Sequence, residues 1–205
     1  MLSNRLVIIF YGLMALLGWA LASAWLDLPV LVWGASSGVD DASAWMTHPL
    51  FALGVGAVVG LLSVAISQVL ERTTQWARRL SDGFQDILGS LNGLQIFVIA
   101  AASSVGEEIL FRGFLQQALA LRWLSDFPYP VVLATILSSL VFGVMHIGPD
   151  AKTFWPWTVM AVVMGGVFGA IFWWTGGLEA PIIAHFTINF LNLTLMQSDH
   201  ESSAS

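Results

Sequence analysis

The chain has 205 residues, of which 57% are hydrophobic and only 10% are charged. Soluble globular domains are about half apolar and about a quarter charged, so this composition excludes an ordinary water-soluble domain. Thirteen acidic and seven basic residues give a formal net charge of -6, and no basic cluster suggests nucleic-acid binding. The sequence contains no cysteine, which excludes disulfides and thiolate metal sites.

Six segments are long and apolar enough to span a bilayer, which requires roughly 20 mostly apolar residues. They cover residues 6–26, 49–70, 94–119, 131–147, 157–175 and 178–196. Proline, glycine and charged residues fall between them, and no internal repeat is visible. The sequence therefore predicts an all-α fold, a polytopic transmembrane helical bundle with about six spanning helices.

The stretch 71–93 differs from these segments because its apolar residues recur at helical spacing among charged ones. This pattern predicts an amphipathic helix in the membrane interface. Such a helix is either a simple linker or a gate beside the path of the substrate, and amphipathicity alone favours the linker. We expect an N-terminal part (1–92), a catalytic helical core (93–197) and a polar, disordered tail (198–205).

Lysine and arginine are enriched in the cytoplasmic loops of membrane proteins. With the N-terminus inside, only Arg112 and Arg122 lie on the far side, and the cytoplasmic residues are Arg5, Arg72, Arg78, Arg79 and Lys152. This distribution favours cytoplasmic N- and C-termini and an outward-facing acidic loop 27–48. Arg5, the first apolar run and the segment 22–24 also resemble a secretory signal, although the run is long for one.

Ionisable side chains are rare within spanning helices, where each costs about 2.5–3.5 kcal/mol on insertion scales, and they indicate functional sites. In this chain they concentrate in the C-terminal half, and the first two helices have little comparable in their middles. The polar residues are Glu107, Glu108, Arg112, His146, His185, Asn189 and Asn192. This asymmetry predicts that they face one shared cavity.

Spacing separates the two adjacent carboxylates. Glu108 precedes Arg112 by four residues, which places both on one helix face in the favourable order for an ion pair. Glu107 lies about 100° around the helix and lacks that partner. An unpaired carboxylate in a low-dielectric site is a candidate general base. The alternative is that all three residues form an ion-pair network that braces the bundle.

Two histidines and an asparagine follow the same spacing rule. His146 lies four residues after Phe142, and His185 lies four residues before Asn189. The alternative for His146 is an interfacial histidine that is hydrogen-bonded at a helix end. The alternative for His185 and Asn189 is a structural hydrogen-bond pair between helices. Together with Glu107 they could provide a base, a proton carrier and oxyanion donors.

Two glycine pairs predict close contacts between helices. Gly56 and Gly60 are four residues apart, as are Gly165 and Gly169. Small residues at this spacing allow membrane helices to approach closely. Docking of a substrate helix is the alternative function of these surfaces.

Three motifs resemble those of the CPBP family, which contains CAAX proteases and bacteriocin-processing proteins. Residues 107–113, EEILFRG, resemble its EExxxR motif, and residues 142–146, FGVMH, resemble FxxxH. Residues 177–185, GLEAPIIAH, continue to Asn189 and resemble HxxxN with its usual lead-in. The motifs occur in order on predicted helices within residues 95–195, and the resemblance does not reach the first 90 residues.

The resemblance implies a glutamate-type intramembrane endopeptidase related to the type II prenyl-protein protease. In that family pattern Glu107 activates water with assistance from His146. His185 and Asn189 stabilise the oxyanion, whereas the geometry of the site is supported by Glu108, Arg112 and Phe142. The resemblance favours catalysis without a metal cofactor. Zinc is the alternative, because Glu107, His146 and His185 form a ligand set found at catalytic zinc sites.

The expected partners are a membrane-associated protein or peptide substrate and the lipid bilayer. We expect a multi-pass protein of the bacterial inner membrane, with a processing or maturation role. A non-enzymatic bacteriocin-immunity protein would retain the same motifs. A proton-coupled transporter is a further alternative, although the sequence has no inverted repeat of the kind many transporters contain.

Overall fold

The computed structural model describes residues 4–26 and 48–204. The predicted outward-facing loop 27–48 lies almost wholly outside these residues. Within the described ranges the chain is helical and contains no strand, which confirms the predicted all-α bundle. The helices are α1 (Asn4–Leu21), α2 (Pro49–Thr73), α3 (Gln75–Leu88), α4 (Gly93–Glu108), α5 (Pro130–Val144), α6 (Ala151–Thr175) and α7 (Glu179–Ala204).

Two of the helices continue into wider π-helical turns. The segment Ala22–Leu26 follows α1, and the segments Ile109–Gln116 and Leu119–Trp123 extend α4. Insertions of π-helical turns are frequent at functional sites. Here the first wide segment after α4 begins directly after the two adjacent glutamates and contains Arg112.

Four stretches in the described ranges are long and apolar enough to cross a membrane: Asn4–Ala24, Pro49–Thr73, Gly93–Trp123 and Ala151–Thr175. The sequence analysis predicts two more. Helix α5 has only 15 residues, because it ends in a turn at Met145 and His146. Helix α7 is long, but its polar residues lower its hydropathy. It continues to Ala204.

Local signals explain where several helices begin and end. Asn92 and Gln95 form a reciprocal capping box at the start of α4. The Asp150 carboxylate caps α6 by accepting hydrogen bonds from the backbone N–H groups of Lys152 and Thr153. The Thr153 hydroxyl also donates to this exposed carboxylate and holds the pKa of Asp150 below its usual value. Gly176 ends α6 in the left-handed conformation, with φ 73°.

The glycine pairs mark close helix crossings, as predicted. A Cβ on Gly60 would lie 2.7 Å from Cβ of Thr187, so α2 approaches α7 closely there. A Cβ on Gly165 would lie 3.1 Å from both Cα and Cβ of Ser139 on α5. One crossing therefore holds α7 against α2, and the other holds α6 against α5.

Helix α1 crosses α4 at two further glycines. A Cβ on Gly18 would lie 2.7 Å from Cα of Leu110, and a Cβ on Gly106 would lie 2.6 Å from the backbone oxygen of Tyr11. Gly106 is the residue before Glu107. The first helix therefore packs directly beside the carboxylates of α4.

Helix α3 is the predicted amphipathic segment, and one side of it packs on α6. A Cβ on Gly83 would lie 3.0 Å from Cγ2 of Thr153. The ring of Phe84 meets the ring of Trp157 edge to face, with 4.9 Å between centroids. Leu80 is buried, whereas Ile87 remains 51% exposed. The exposed face is consistent with the predicted interfacial placement.

Candidate active site

The predicted ion pair on α4 is present and fully buried. Nη1 of Arg112 lies 2.9 Å from Oε1 of Glu108, and neither side chain is exposed. Nη2 of Arg112 donates to the backbone oxygen of Gly165, also at 2.9 Å. Arg112 thus binds α4 to α6 at the glycine where α6 crosses α5.

Two phenyl rings enclose the guanidinium of Arg112. Its Cζ lies 4.7 Å from the ring centroid of Phe142 and 5.3 Å from that of Phe168. A cation over an aromatic face is attracted by the ring quadrupole, and the attraction is greater where water is excluded. The rings therefore replace part of the hydration that burial removes from the cation.

His185 of α7 binds the same carboxylate as Arg112. Its Nδ1 lies 2.9 Å from Oε1 of Glu108, and its ring stacks on Phe168 at 5.2 Å between centroids. An ionised carboxylate only accepts hydrogen bonds, so Nδ1 of His185 carries a proton. The family resemblance implies an oxyanion role for His185 and does not predict this contact with Glu108.

His146 lies in the turn just after α5. Its Nδ1 donates to the backbone oxygen of Phe142 at 2.7 Å, because a carbonyl oxygen can only accept. Its ring lies 4.3 Å from that of Phe142 and 5.1 Å from that of Trp157. These contacts fix the ring so that Nε2 points towards Glu107.

Glu107 faces both histidines. Its Oε2 lies 3.6 Å from Nε2 of His146 and 3.9 Å from Nε2 of His185. This oxygen is buried and has no hydrogen-bond partner within the described part of the chain. In the neutral histidines both Nε2 atoms are acceptors, because the protons are on Nδ1. Oε2 of Glu107 and the two Nε2 atoms are therefore three hydrogen-bond acceptors that lie close together. A water molecule suits this place because it can donate two hydrogen bonds.

Asn189 lies one turn after His185 and donates from Nδ2 to Oγ of Ser103, at 3.0 Å. Asn192 lies further along α7 and accepts from Oγ of Ser67, at 2.8 Å. The structure therefore places both asparagines on the side of α7 that faces polar groups of α2 and α4. Asn189 has a second amide hydrogen, which Ser103 does not use.

The sequence analysis missed two polar neighbours of these residues. Tyr11 of α1 lies beside Glu107, because its backbone oxygen packs against Gly106. Ser103 holds Asn189 and lies four residues before Glu107, so i,i+4 spacing could have identified it. Tyr11 gave a weaker signal, namely a hydroxyl within an otherwise apolar helix.

A cavity of about 600 Å³ opens onto these groups. Glu107, His146, His185 and Asn189 contribute to one part of its wall, and α3 contributes Trp76, Leu80 and Phe84. Most other wall residues are apolar. Pockets of this size and character bind drug-sized ligands. The amphipathic helix therefore borders the same space as the predicted catalytic residues.

The predicted zinc alternative involves the residues around Oε2 of Glu107. Among the side chains that the structure describes, no group of three or more His, Asp or Glu residues is arranged to hold a metal ion. Nδ1 of His185 is hydrogen-bonded to Glu108, so Nε2 is the nitrogen of this ring that could bind a metal.

Comparison with known proteins gives two matches. The family model described as type II CAAX prenyl endopeptidase Rce1-like matches residues 89–191, a range that includes all three motifs. The uncharacterized protein YpbD of Bacillus subtilis (strain 168) is 28% identical over 105 residues, which cover 51% of this chain and 47% of YpbD. The chain thus spans about half the length of that relative. No solved structure matches the chain at a significant level.

Proposed function

Because the chain belongs to the Rce1-like family of type II CAAX prenyl endopeptidases, we propose that it is a glutamate-type intramembrane endopeptidase. It hydrolyses a peptide bond of a membrane-associated protein or peptide. One observation supports this function most directly. An unpartnered oxygen of Glu107 faces Nε2 of two histidines in the wall of a cavity that can hold a peptide.

In the proposed reaction Glu107 acts as the general base. A water molecule between Oε2 of Glu107 and Nε2 of His146 loses a proton to the carboxylate as its oxygen attacks the peptide carbonyl carbon. The new C–O bond forms as the carbonyl electrons move to oxygen. When the C–N bond breaks, the proton returns to the leaving amine. His146 orients the water through Nε2, and its own Nδ1–H remains on Phe142.

The oxyanion is stabilised by His185 and Asn189. His185 can donate from Nε2 only as the imidazolium, because Nδ1 already carries the proton directed at Glu108. Asn189 supplies its second amide hydrogen while the first stays on Ser103. Oriented donors of this kind contribute about 10²–10³ in kcat.

We propose that the reaction needs no metal. It is supported by the position of Asn189 one turn after His185, which suits a pair of hydrogen-bond donors for the oxyanion. Purified protein should keep its activity after exhaustive chelation and contain no stoichiometric zinc by elemental analysis. Activity that chelation abolishes and zinc restores would instead support the alternative ligand set of Glu107, His146 and His185.

We place the protein in the bacterial inner membrane with both termini in the cytoplasm. The argument is the distribution of Lys and Arg, five of which fall on the inner side in this orientation. Reporter fusions to the two termini test the orientation. A terminus that labels from the outside would contradict it.

The activity is tested by comparing cells that produce the wild-type chain with cells that produce Glu107→Gln. Mass spectrometry of protein termini should detect new ends in membrane proteins with the wild-type chain only. Purified protein is then assayed with a fluorescence-quenched farnesylated CAAX peptide, the substrate type of the matched family, and with peptides that span the sites found in cells.

The immunity hypothesis predicts a different outcome for the same variant. If Glu107→Gln protects a host against a bacteriocin as well as the wild type does, and no new termini depend on Glu107, the endopeptidase proposal fails.

A further inference from the structure

Helix α1 lies outside residues 89–191, the range that matches the family, yet it reaches the site. Its contact is made at Gly106, where a Cβ would lie 2.6 Å from the backbone oxygen of Tyr11 and 3.1 Å from its Cβ. The absence of a side chain at Gly106 therefore lets the Tyr11 backbone lie against α4 directly beside Glu107. A second close crossing at Gly18 and Leu110 fixes α1 along α4.

Tyr11 and Glu107 are also neighbours in the walls of two cavities, one of about 600 Å³ and one of about 130 Å³. Oε2 of Glu107 has no hydrogen-bond partner and faces the two imidazoles. A phenol donates one hydrogen bond, and a donor on one oxygen fixes the rotation of the whole carboxylate group.

Tyr11 and Glu107 also lie between two spaces. Both contribute to the wall of the 600 Å³ cavity and to that of a second cavity of about 130 Å³. The smaller cavity is bordered as well by His146, Met14 and Phe111. Since a water molecule takes up about 30 Å³ in the liquid, the smaller cavity has room for a few waters next to the carboxylate while a peptide occupies the larger one.

We propose that Tyr11 is a positioning residue for hydrolysis. Its hydroxyl donates to the Glu107 carboxylate and holds Oε2 towards His146 and the attacking water. This inference rests on the proposed function, because it assigns Tyr11 a role through Glu107. A ring without a hydroxyl would fill the same space between α1 and α4, so the hydroxyl itself is the group to test.

The test is Tyr11→Phe, which removes only the hydroxyl and keeps the ring. Purified full-length protein is assayed with the farnesylated quenched peptide and with the peptides identified from cellular cleavage sites. A hydrogen bond to a charged group affects equilibria and rates about 10- to 100-fold. We expect kcat to fall by about that factor, with KM and the melting temperature in detergent unchanged.

The chain offers a matched control, because Tyr129 is its other tyrosine. Tyr129 is 79% exposed and borders neither cavity, so Tyr129→Phe should leave kcat unchanged. A kcat for Tyr11→Phe within about twofold of wild type overturns the inference. A loss of kcat that is matched by a fall in melting temperature overturns it too, because the hydroxyl would then only stabilise the bundle.

Glu107→Gln separates this inference from the proposed function. If Glu107→Gln is inactive and Tyr11→Phe is fully active, only the role of Tyr11 fails. If Glu107→Gln keeps its activity, the proposed general base fails and the inference fails with it.

Discussion

Nδ1 of His185 lies 2.9 Å from Oε1 of Glu108, the oxygen that also pairs with Arg112. Glu108 therefore has two functions at one atom. It neutralises a fully buried cation, and it fixes the tautomer and the orientation of an imidazole that faces Glu107. Because both contacts use this oxygen, a substitution of Glu108 should change both the stability of the fold and the activity.

Glu108→Gln should reduce both stability and activity. The substitution leaves the Arg112 cation buried without its carboxylate, and removing one partner of a buried ion pair costs about 3–5 kcal/mol. We expect a lower melting temperature in detergent and a lower yield of folded protein. Asp82→Asn is the control, because Asp82 is an exposed carboxylate on α3. Equal melting temperatures for Glu108→Gln and wild type would show that Arg112 does not need this partner.

Glu107→Gln should have the opposite effect on stability. Oε2 of Glu107 is buried without a hydrogen-bond partner, so neutralising the side chain removes a desolvated charge. Functional sites commonly reduce stability in this way. We expect cleavage to be lost while the melting temperature stays equal to that of the wild type or rises. A clear fall in melting temperature would indicate that Glu107 belongs to a bracing network with Glu108 and Arg112.

Phe142→Ala should remove a ring that contacts four groups of the site. The ring is only 2% exposed and lies against Phe111, Arg112, His146 and His185. Substitutions of buried Phe by Ala cost about 3–5 kcal/mol. We expect loss of stability together with loss of activity. Phe127→Ala, at a ring that is 57% exposed, should change neither, and a similar loss in both variants would contradict the argument.

Gly165→Ala tests the crossing of α5 and α6. The added methyl group would lie 3.1 Å from Cα and Cβ of Ser139, and overpacking of this kind costs about 1–3 kcal/mol. It would also displace the backbone oxygen that binds Arg112. Gly166→Ala is the matched control, because its methyl group would meet only Oγ of Ser139 at 3.9 Å. We expect the melting temperature of Gly166→Ala to equal or exceed that of the wild type. Equal melting temperatures for Gly165→Ala and Gly166→Ala would contradict a tightly packed crossing of α5 and α6 at Gly165.

The position of α3 beside the 600 Å³ cavity favours the gate over the linker. The chain has no cysteine, so Gly83→Cys with Thr153→Cys introduces a single possible disulfide. A Cβ at position 83 lies 3.0 Å from Cγ2 of Thr153, which is compatible with the short Cβ–Cβ distances of disulfides. We expect oxidation to slow cleavage and reduction to restore it. Each single-cysteine variant is the control, and cleavage that is insensitive to oxidation in the double variant would support the linker.

Local spacing was sufficient for the contacts that form within one helix. The pair of Glu108 and Arg112 follows from an i,i+4 separation, and the glycine pairs follow from the small-residue pattern of membrane helices. These predictions succeeded because the helical repeat alone sets which residues share a face.

Contacts between helices required the structure. The sequence does not show that α7 docks on α4 with His185 against Glu108, or that α1 brings Tyr11 to Glu107. Helix ends were also difficult to predict. The turn at Met145 and His146 shortens α5, although the apolar run continues past it. The polar tail lacks glycine and proline, so nothing in it terminates α7.

The buried ion pair of α4 also has a consequence for biosynthesis. The chain is made from its N-terminus, so α4 leaves the ribosome before α6 supplies Gly165 and before α7 supplies His185. A lone glutamate or arginine would oppose insertion of α4 at that stage. Because Glu108 and Arg112 lie on one helix, they can neutralise each other before any other helix arrives. Their spacing therefore lowers the free-energy cost of inserting α4 into the bilayer, and it also stabilises the assembled site.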